Sequence, residues 1–154
     1  MIRRFDLLAF DWDGTLFDST QIIARSLQEA IRDVGGVVPS DHDATYVIGL
    51  SLSQALQQAA PDLSTDLYPQ LMTRYRYHYA RRQDEVTLFA GTLQMLNRLK
   101  ARGHLLAVAT GKSRRGLDEA LQSDGLPGLF AANRQQTDRA PSEPVRAPCQ
   151  DDLT

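Results

Sequence analysis

Apolar runs along the chain predict strands that are buried in a sheet. The first run, Leu7–Phe10, contains no polar residue, which is typical of a central strand covered on both faces. Residues 105–109 (LLAVA) form a second run of the same kind. A weaker run at residues 129–132 (LFAA) predicts a third strand. Helical patterns lie between these runs, so the chain is predicted to form an α/β fold with a parallel sheet.

Apolar residues at spacings of three and four predict amphipathic helices after the first strand. Ser19 or Thr20 can cap the first of these helices, and a pair of glycines follows it. Ser51 can cap a second helix over SLSQALQQAA. Pro69 fits only the first turn of a longer helix, LYPQLMTRYRYHYARR. The segment from about residue 17 to about residue 85 is therefore predicted to be helical throughout.

The alternation of helix and strand returns after this segment. Thr92 can cap a helix before the second strand, and Ser113 can cap another after it, which Gly125 closes. From Asn133 onward the chain contains prolines and scattered charges and has no regular apolar period. We therefore predict a disordered or atypical tail over residues 133–154.

Composition and charge narrow the range of partners. The 154 residues are 42% hydrophobic and 23% charged, which is typical of one globular domain. With 17 basic and 19 acidic residues, no strong field would attract nucleic acid or an anionic membrane. Tyr75 and Tyr79 alternate with basic residues, but they fit the apolar stripe of their helix better than a nucleic-acid surface.

Cysteine content and hydropathy bear on the compartment. The single cysteine excludes an internal disulfide, which favours a reducing environment. No apolar stretch of the sequence is long enough to span a membrane. We therefore expect a cytoplasmic protein, and its oligomeric state stays open.

Polar residues follow both predicted strands directly. Asp11 and Asp13 end the first strand, and Thr110 and Lys112 end the second. Ligands of parallel α/β sheets bind at the carboxyl ends of the strands. Two neighbouring carboxylates repel each other unless a cation neutralises them, and Mg²⁺ prefers such oxygen ligands. The alternative is that Asp13-Gly14 only forms a turn, and the pattern by itself leaves both interpretations open.

Two longer segments resemble one protein family. FDWDGTLFDS resembles the first motif of the haloacid dehalogenase-like phosphohydrolases, and LFAGTLQMLNRLKARGHLLAVATGK resembles their second-motif region. The local sequence is most similar to that of phosphoglycolate phosphatases, although Ala90 replaces their usual proline. The resemblance implies an incomplete Rossmann-like core formed by residues 1–16 and 87–132. It also implies an inserted helical cap over residues 17–86.

The resemblance further implies Mg²⁺-dependent hydrolysis of a small phosphorylated metabolite, a phosphomonoester. Asp11 would be the nucleophile that forms an aspartyl-phosphate, and Asp13 would act first as general acid and then as general base. Both would ligate Mg²⁺, Asp13 through its backbone carbonyl. The Thr110 hydroxyl and the backbone amides around Trp12, Asp13 and Gly111 would bind the phosphoryl group.

Two further residues are candidates for the phosphate site. Gly14 would let the backbone pass close to the phosphoryl group because it has no side chain. Lys112 would bind phosphate, or else it is a solvated residue at the start of a helix. The family's essential lysine usually comes later, and no lysine follows Lys112 in this chain. Arg134 and Arg139 do not lie in the expected surroundings.

The C-terminal part departs from the family pattern. The acidic pair nearest to the position of the fourth motif, Asp151-Asp152, follows PVRAPCQ, which does not resemble a buried strand. We therefore expect the first strand to lie at an edge of the sheet. We also expect that the segment from about Asn133 is out of frame or ends a gene whose relatives continue. A catalytically inactive fragment and a phosphomutase of the same superfamily stay open as alternatives.

Overall fold

The computed structural model describes residues 4–122 and 125–135 of the chain. Within these ranges the strands are β1 (Leu7–Phe10), β2 (Phe17–Asp18), β3 (Thr87–Leu88), β4 (Leu105–Thr110) and β5 (Ala132–Gln135). The α-helices are α1 (Thr20–Asp33), α2 (Asp41–Tyr46), α3 (Leu52–Ala59), α4 (Tyr68–Ala80), α5 (Thr92–Ala101) and α6 (Arg114–Leu121). Short 3₁₀ helices flank α4 at Thr65–Leu67 and Gln83–Glu85.

The main sheet is parallel and has the strand order β1-β4-β5. Leu7 pairs with Leu105 and Phe10 pairs with Val108, so β1 and β4 reach the same edge of the sheet with their carboxyl ends. The parallel α/β fold predicted from the apolar runs is confirmed. Within the described residues β1 lies at an edge of the sheet, as expected.

One face of this sheet is covered by helices. Leu106 and Val108 of β4 lie in a buried cluster with Leu96 of α5 and Leu117 of α6. Since side chains alternate along a strand, the neighbouring residues point to the opposite face. On that face Leu7 is 53% exposed and Leu105 is 55% exposed.

The prediction that the first strand is covered on both faces is therefore wrong. Leu8 and Phe10 pack against the buried cluster, but Leu7 and Ala9 are exposed. An apolar run shows that a strand can be buried, and it does not show that the chain supplies a second covering layer. In the described part of the chain, helices shield β1 well on one face only.

The third strand begins later than predicted. Residues 129–132 were expected to form it, but β5 spans Ala132–Gln135 and pairs with β4, with Thr110 opposite Gln135. Leu129 instead lies buried in the cluster below the sheet. The ladder needs only backbone N–H and C=O groups, so a segment without an apolar run can form it. Residues 133–135 of the predicted tail thus belong to the sheet.

The rest of the predicted tail, residues 136–154, lies outside the described residues. This range includes Arg139 and the acidic pair Asp151-Asp152. Arg134 is in β5, where only the backbone is described.

Helices α1–α4 pack together, and we refer to them as the helical bundle. Their shared core includes Leu27 and Ile31 of α1, Leu56 of α3 and Leu71 of α4. The predicted helices in this segment are confirmed, with Pro69 in the first turn of α4. None of the described helices is long and apolar enough to cross a membrane.

The junction between the bundle and the sheet is a short antiparallel ribbon. Phe17 pairs with Leu88, and Asp18 pairs with Thr87. Residues 17 and 18 were predicted to be helical, which is wrong for these positions. The Phe17 ring stacks on Trp12 with 4.8 Å between the ring centroids, and this contact holds it in the sheet core instead.

The predicted helix caps are correct at two positions and wrong at two others. Ser51 forms a capping box at α3, and Ser113 accepts a hydrogen bond from the Gly116 amide at α6. Thr92 does not cap α5, because Gly91 occupies the N-cap position with φ of 80°. Ser19 occupies the N-cap position of α1, but its side chain makes no capping hydrogen bond.

Candidate active site

The candidate site lies at the carboxyl ends of β1 and β4. The last paired residues of the two strands are Phe10 and Val108, so Asp11 follows β1 at the level where β4 ends in Thr110. The register therefore brings the two polar segments to one edge of the sheet. This edge is where parallel α/β sheets bind ligands.

A tight loop after β1 fixes the positions of the aspartates. The Trp12 carbonyl accepts hydrogen bonds from the amides of Thr15, Leu16 and Phe17. Gly14 adopts a φ of 78°, a left-handed conformation that glycine adopts at little cost. The Trp12 side chain is buried and anchors the loop in the sheet core.

Asp11 presents an exposed carboxylate at the end of β1. Its Oδ1 accepts a hydrogen bond of 2.7 Å from the Trp12 amide. Its Oδ2 makes no hydrogen bond or ion pair with the part of the chain that the structure describes. The carboxylate thus has one oxygen fixed by the loop and one available to react. The Trp12 amide, which was predicted to face the phosphoryl group, is engaged with Asp11 in this state.

Asp13 is more enclosed, since its side chain is 12% exposed. The Ser19 hydroxyl donates a hydrogen bond of 2.7 Å to its Oδ1, and Lys112 Nζ lies 3.4 Å from the same oxygen. Ser19 is fully buried at the start of α1. Two contacts from different elements therefore fix the orientation of the Asp13 carboxylate.

Lys112 is largely enclosed, with a side chain that is 17% exposed, so it is not a solvated residue. Its Nζ lies 3.4 Å from the Tyr79 hydroxyl and 5.1 Å from the centroid of that ring. Burial disfavours the charged form, but the Asp13 carboxylate and the Tyr79 phenol outweigh it and raise the pKa of Lys112. The site thus contains a cation beside its aspartates.

Thr110 and Gly111 lie between these groups at the end of β4. Thr110 is buried, and its Oγ1 accepts a hydrogen bond of 3.2 Å from the Lys112 amide. A Cβ atom on Gly111 would lie 2.3 Å from the Leu50 carbonyl oxygen and 2.8 Å from that of Gly49. The loop between α2 and α3 is therefore pressed directly against the end of β4, where only glycine fits.

The donor atoms of the site suit a hard divalent cation. Asp11 and Asp13 supply carboxylate and backbone oxygens, and Mg²⁺ in proteins is often held by one or two carboxylates together with waters and substrate phosphates. Among residues 4–122 and 125–131, no group of three or more His, Cys, Asp or Glu side chains could hold a metal ion. The described side chains alone would thus provide only part of a metal's coordination shell.

Two residues of the site were not recognised as functional in the sequence. Ser19 lies inside the FDWDGTLFDS motif, but a serine before a helix indicates a cap, and its hydroxyl contacts Asp13 instead. Tyr79 lies on the apolar stripe of α4, which favours a core position. Its hydroxyl reaches a lysine 33 residues away in the sequence, and no local pattern indicates that contact.

Comparison with known proteins places this arrangement in a family. A family model described as haloacid dehalogenase-like hydrolase matches residues 8–149. The chain belongs to this family. The match extends past Asn133 into the segment predicted as a tail.

Similar members of the haloacid dehalogenase-like family include proteins with different names. The phosphoglycolate phosphatase of Aliivibrio fischeri is 32% identical over 139 residues, which are 85% of this chain and 61% of that protein. The tyrosine-protein kinase PtkA of Mycobacterium tuberculosis is 31% identical over 125 residues, which are 80% of this chain and 42% of that protein. The chain thus spans less than two thirds of the length of these relatives.

A solved structure supports the fold of this family member. The crystal structure of a predicted phosphoglycolate phosphatase from Haemophilus somnus is similar with a TM-score of 0.78 and 26% identity. The similarity covers 88% of this chain and 64% of the other. The two chains therefore share the sheet and the helical bundle over most of the present sequence.

Proposed function

We propose that this chain acts as a Mg²⁺-dependent phosphomonoesterase and that the site at the ends of β1 and β4 is its active site. One observation supports this proposal above the others. The exposed carboxylate of Asp11 lies two residues from an enclosed Asp13 that Ser19 and Lys112 hold in place. This arrangement pairs an available nucleophile with an oriented acid and base.

In the first half of the reaction, an Asp11 carboxylate oxygen attacks phosphorus. A bond forms between this oxygen and phosphorus while the bond from phosphorus to the leaving alcohol breaks. Asp13 donates its proton to the oxygen of that alcohol, so the product leaves neutral. The phosphoryl group is then bound covalently to Asp11 as an aspartyl-phosphate.

In the second half, water releases the phosphoryl group. Asp13, now ionised, takes a proton from a water molecule while the oxygen of that water attacks phosphorus. The bond between phosphorus and Asp11 breaks, which restores the Asp11 carboxylate and releases inorganic phosphate. Asp13 thus serves as acid and then as base, and its contact with Ser19 keeps it oriented through both steps.

The remaining residues of the site would bind and orient the phosphoryl group. We assign the Thr110 hydroxyl, the Lys112 ammonium and the amides of Trp12 and Gly111 to its oxygens. The Trp12 amide would exchange its hydrogen bond to Asp11 for one to the substrate. Gly14 has no side chain, so it would let the loop after β1 pass close to the phosphoryl group. Asp11 and Asp13 would hold Mg²⁺, whose charge would offset that of the phosphoryl oxygens.

The names of the relatives suggest the first substrate to test. A protein 32% identical to this chain is a phosphoglycolate phosphatase, so we propose phosphoglycolate or a similarly small phosphomonoester. We further propose that the helical bundle is the cap that covers the substrate. The contact of Leu50 with Gly111 and that of Tyr79 with Lys112 already bring it against the site.

The test is phosphate release from phosphoglycolate and from para-nitrophenyl phosphate, with Mg²⁺ and with a chelator. Asp11→Asn should lower turnover by at least about 10³-fold because it removes the nucleophile. Asp6→Asn is the matched control, since Asp6 is exposed just before β1, at the opposite end of that strand. It should behave like the wild type.

Other outcomes would contradict the proposal. A folded wild-type sample without turnover on either substrate would support the inactive fragment. Transfer of the phosphoryl group between positions of a sugar phosphate, with little release of phosphate, would support the phosphomutase. Turnover that survives Asp11→Asn would show that this site is not the active one.

A further inference from the structure

We propose that Tyr79 of α4 is a positioning residue that holds the Lys112 ammonium where a phosphoryl oxygen would bind. This inference rests on the proposed function, because it assumes that the site takes a phosphoryl group. It adds a residue of α4 to a site that is otherwise built from the ends of β1 and β4 and the start of α1.

The contacts of Lys112 leave room for one further acceptor. An ammonium group has three N–H donors. Lys112 Nζ lies 3.4 Å from Asp13 Oδ1 and 3.4 Å from the Tyr79 hydroxyl oxygen. Among the side chains that the structure describes, residues 4–122 and 125–131, no other acceptor contacts this nitrogen, so its third donor is available to a phosphoryl oxygen. A free lysine would lose much rotamer freedom on binding phosphate, and these two contacts restrict the side chain in advance.

Tyr79 is itself held firmly enough to position another side chain. Its ring stacks on Tyr75 with 6.0 Å between centroids, and Tyr75 packs against the core of the bundle. Next to Tyr79 in α4, a His78 ring nitrogen lies 2.7 Å from the Asp33 carboxylate of α1. Just beyond the end of α4, Arg82 forms an ion pair with Glu29 of α1. The tyrosine is thus fixed from its ring and from its backbone.

The ring and the hydroxyl of Tyr79 act on the lysine in separable ways. Lys112 Nζ lies over the Tyr79 ring, 5.1 Å from its centroid, which is within range of a cation–π interaction. The hydroxyl oxygen contacts the same nitrogen. Tyr79→Phe removes only the hydroxyl contact, whereas Tyr79→Leu removes both, so the two variants should form a graded series.

The experiment measures binding of inorganic phosphate in the presence of Mg²⁺ by fluorescence of Trp12. This is the chain's single tryptophan, and it lies between Asp11 and Asp13. We expect Tyr79→Phe to raise the dissociation constant for phosphate about 2- to 10-fold, as for the loss of one hydrogen bond. Tyr79→Leu should raise it further.

A double-mutant cycle with Lys112→Met separates positioning from a structural role. If Tyr79 acts through the lysine, Tyr79→Phe should have no further effect once Lys112 is replaced. Tyr77→Phe is the matched control, because it removes an exposed hydroxyl from the same helix, outside the site. It should leave phosphate binding unchanged.

Each outcome bears on the inference. Phosphate binding by Tyr79→Phe equal to wild type would overturn it, and so would a loss of equal size in the Lys112→Met background. Absence of phosphate binding by the wild type would overturn it together with the proposed function. If phosphate binds and responds to Tyr79→Phe as expected but no ester is hydrolysed, the proposed function fails and the positioning role stands.

Discussion

The contact between Gly111 and the loop before α3 leads to a specific prediction about stability. In Gly111→Ala, the new Cβ would lie 2.3 Å from the Leu50 carbonyl oxygen, whereas real Cβ contacts below 3.0 Å essentially do not occur. The loop must therefore retreat by at least about 0.7 Å, and the opposing atom belongs to the backbone. Unlike the end of a flexible side chain, it cannot rotate away.

The size of the effect follows from the cost of forcing atoms into a packed contact. Overpacking typically costs about 1–3 kcal/mol. For a chain of this length each kcal/mol lowers the melting temperature by about 2–4 °C. We therefore expect Gly111→Ala to melt roughly 2–12 °C below the wild type.

Gly116→Ala is the matched control for the thermal melt. Gly116 lies in the first turn of α6, five residues further along the same β4–α6 unit. Its added Cβ would meet only the Ser113 hydroxyl at 3.3 Å, and alanine favours a helix over glycine by about 1 kcal/mol. Gly116→Ala should therefore match or exceed the wild-type melting temperature. A melt of Gly111→Ala within 1 °C of wild type, beside a normal control, would refute the reasoning.

Three further predictions concern the core, the aspartate contact and pH. Leu96→Ala should lower the free energy of unfolding in urea by about 2–5 kcal/mol, because this side chain is fully buried. Ser19→Ala should lower kcat/KM about 2- to 10-fold because it removes the hydrogen bond that orients the Asp13 carboxylate. Ser26→Ala, which removes a buried hydroxyl of α1 that bonds to the Ile22 carbonyl, should leave kcat/KM unchanged. Hydrogen bonds from His78 and Arg74 lower the pKa of Asp33 in the folded protein. The contacts of the ionised Asp33 therefore stabilise the fold above about pH 4, the ordinary pKa of an aspartate, and thermal melts should show this stabilisation being lost as the pH falls further.

Much of the candidate site could be predicted because its key residues are close in sequence. Asp11, Asp13 and Gly14 lie within one loop, where the order of residues decides the geometry. Thr110 follows from the end of an apolar run, since parallel strands end at a common edge. The role of each residue comes from the family resemblance and stays a proposal.

The parts of the site that sequence analysis missed depend on contacts between distant elements. Ser19 has the sequence pattern of a helix cap, but the loop geometry brings Asp13 within 2.7 Å of its hydroxyl. Tyr79 has the pattern of a core residue, and only the packing of α4 beside the end of β4 brings it to Lys112. A periodic pattern identifies which side of a helix is buried. It does not identify the residues of other elements that this side contacts.

The sequence by itself determined the alternation of strands and helices, the aspartate loop and most helix limits, because these depend on residues that are neighbours in the chain. The tertiary structure alone decided which face of β1 is covered, where β5 pairs, and that Lys112 is enclosed between Asp13 and Tyr79. These features depend on the relative placement of segments far apart in sequence. Burial and pairing at such positions result from packing between elements, which a local pattern of polar and apolar residues does not specify.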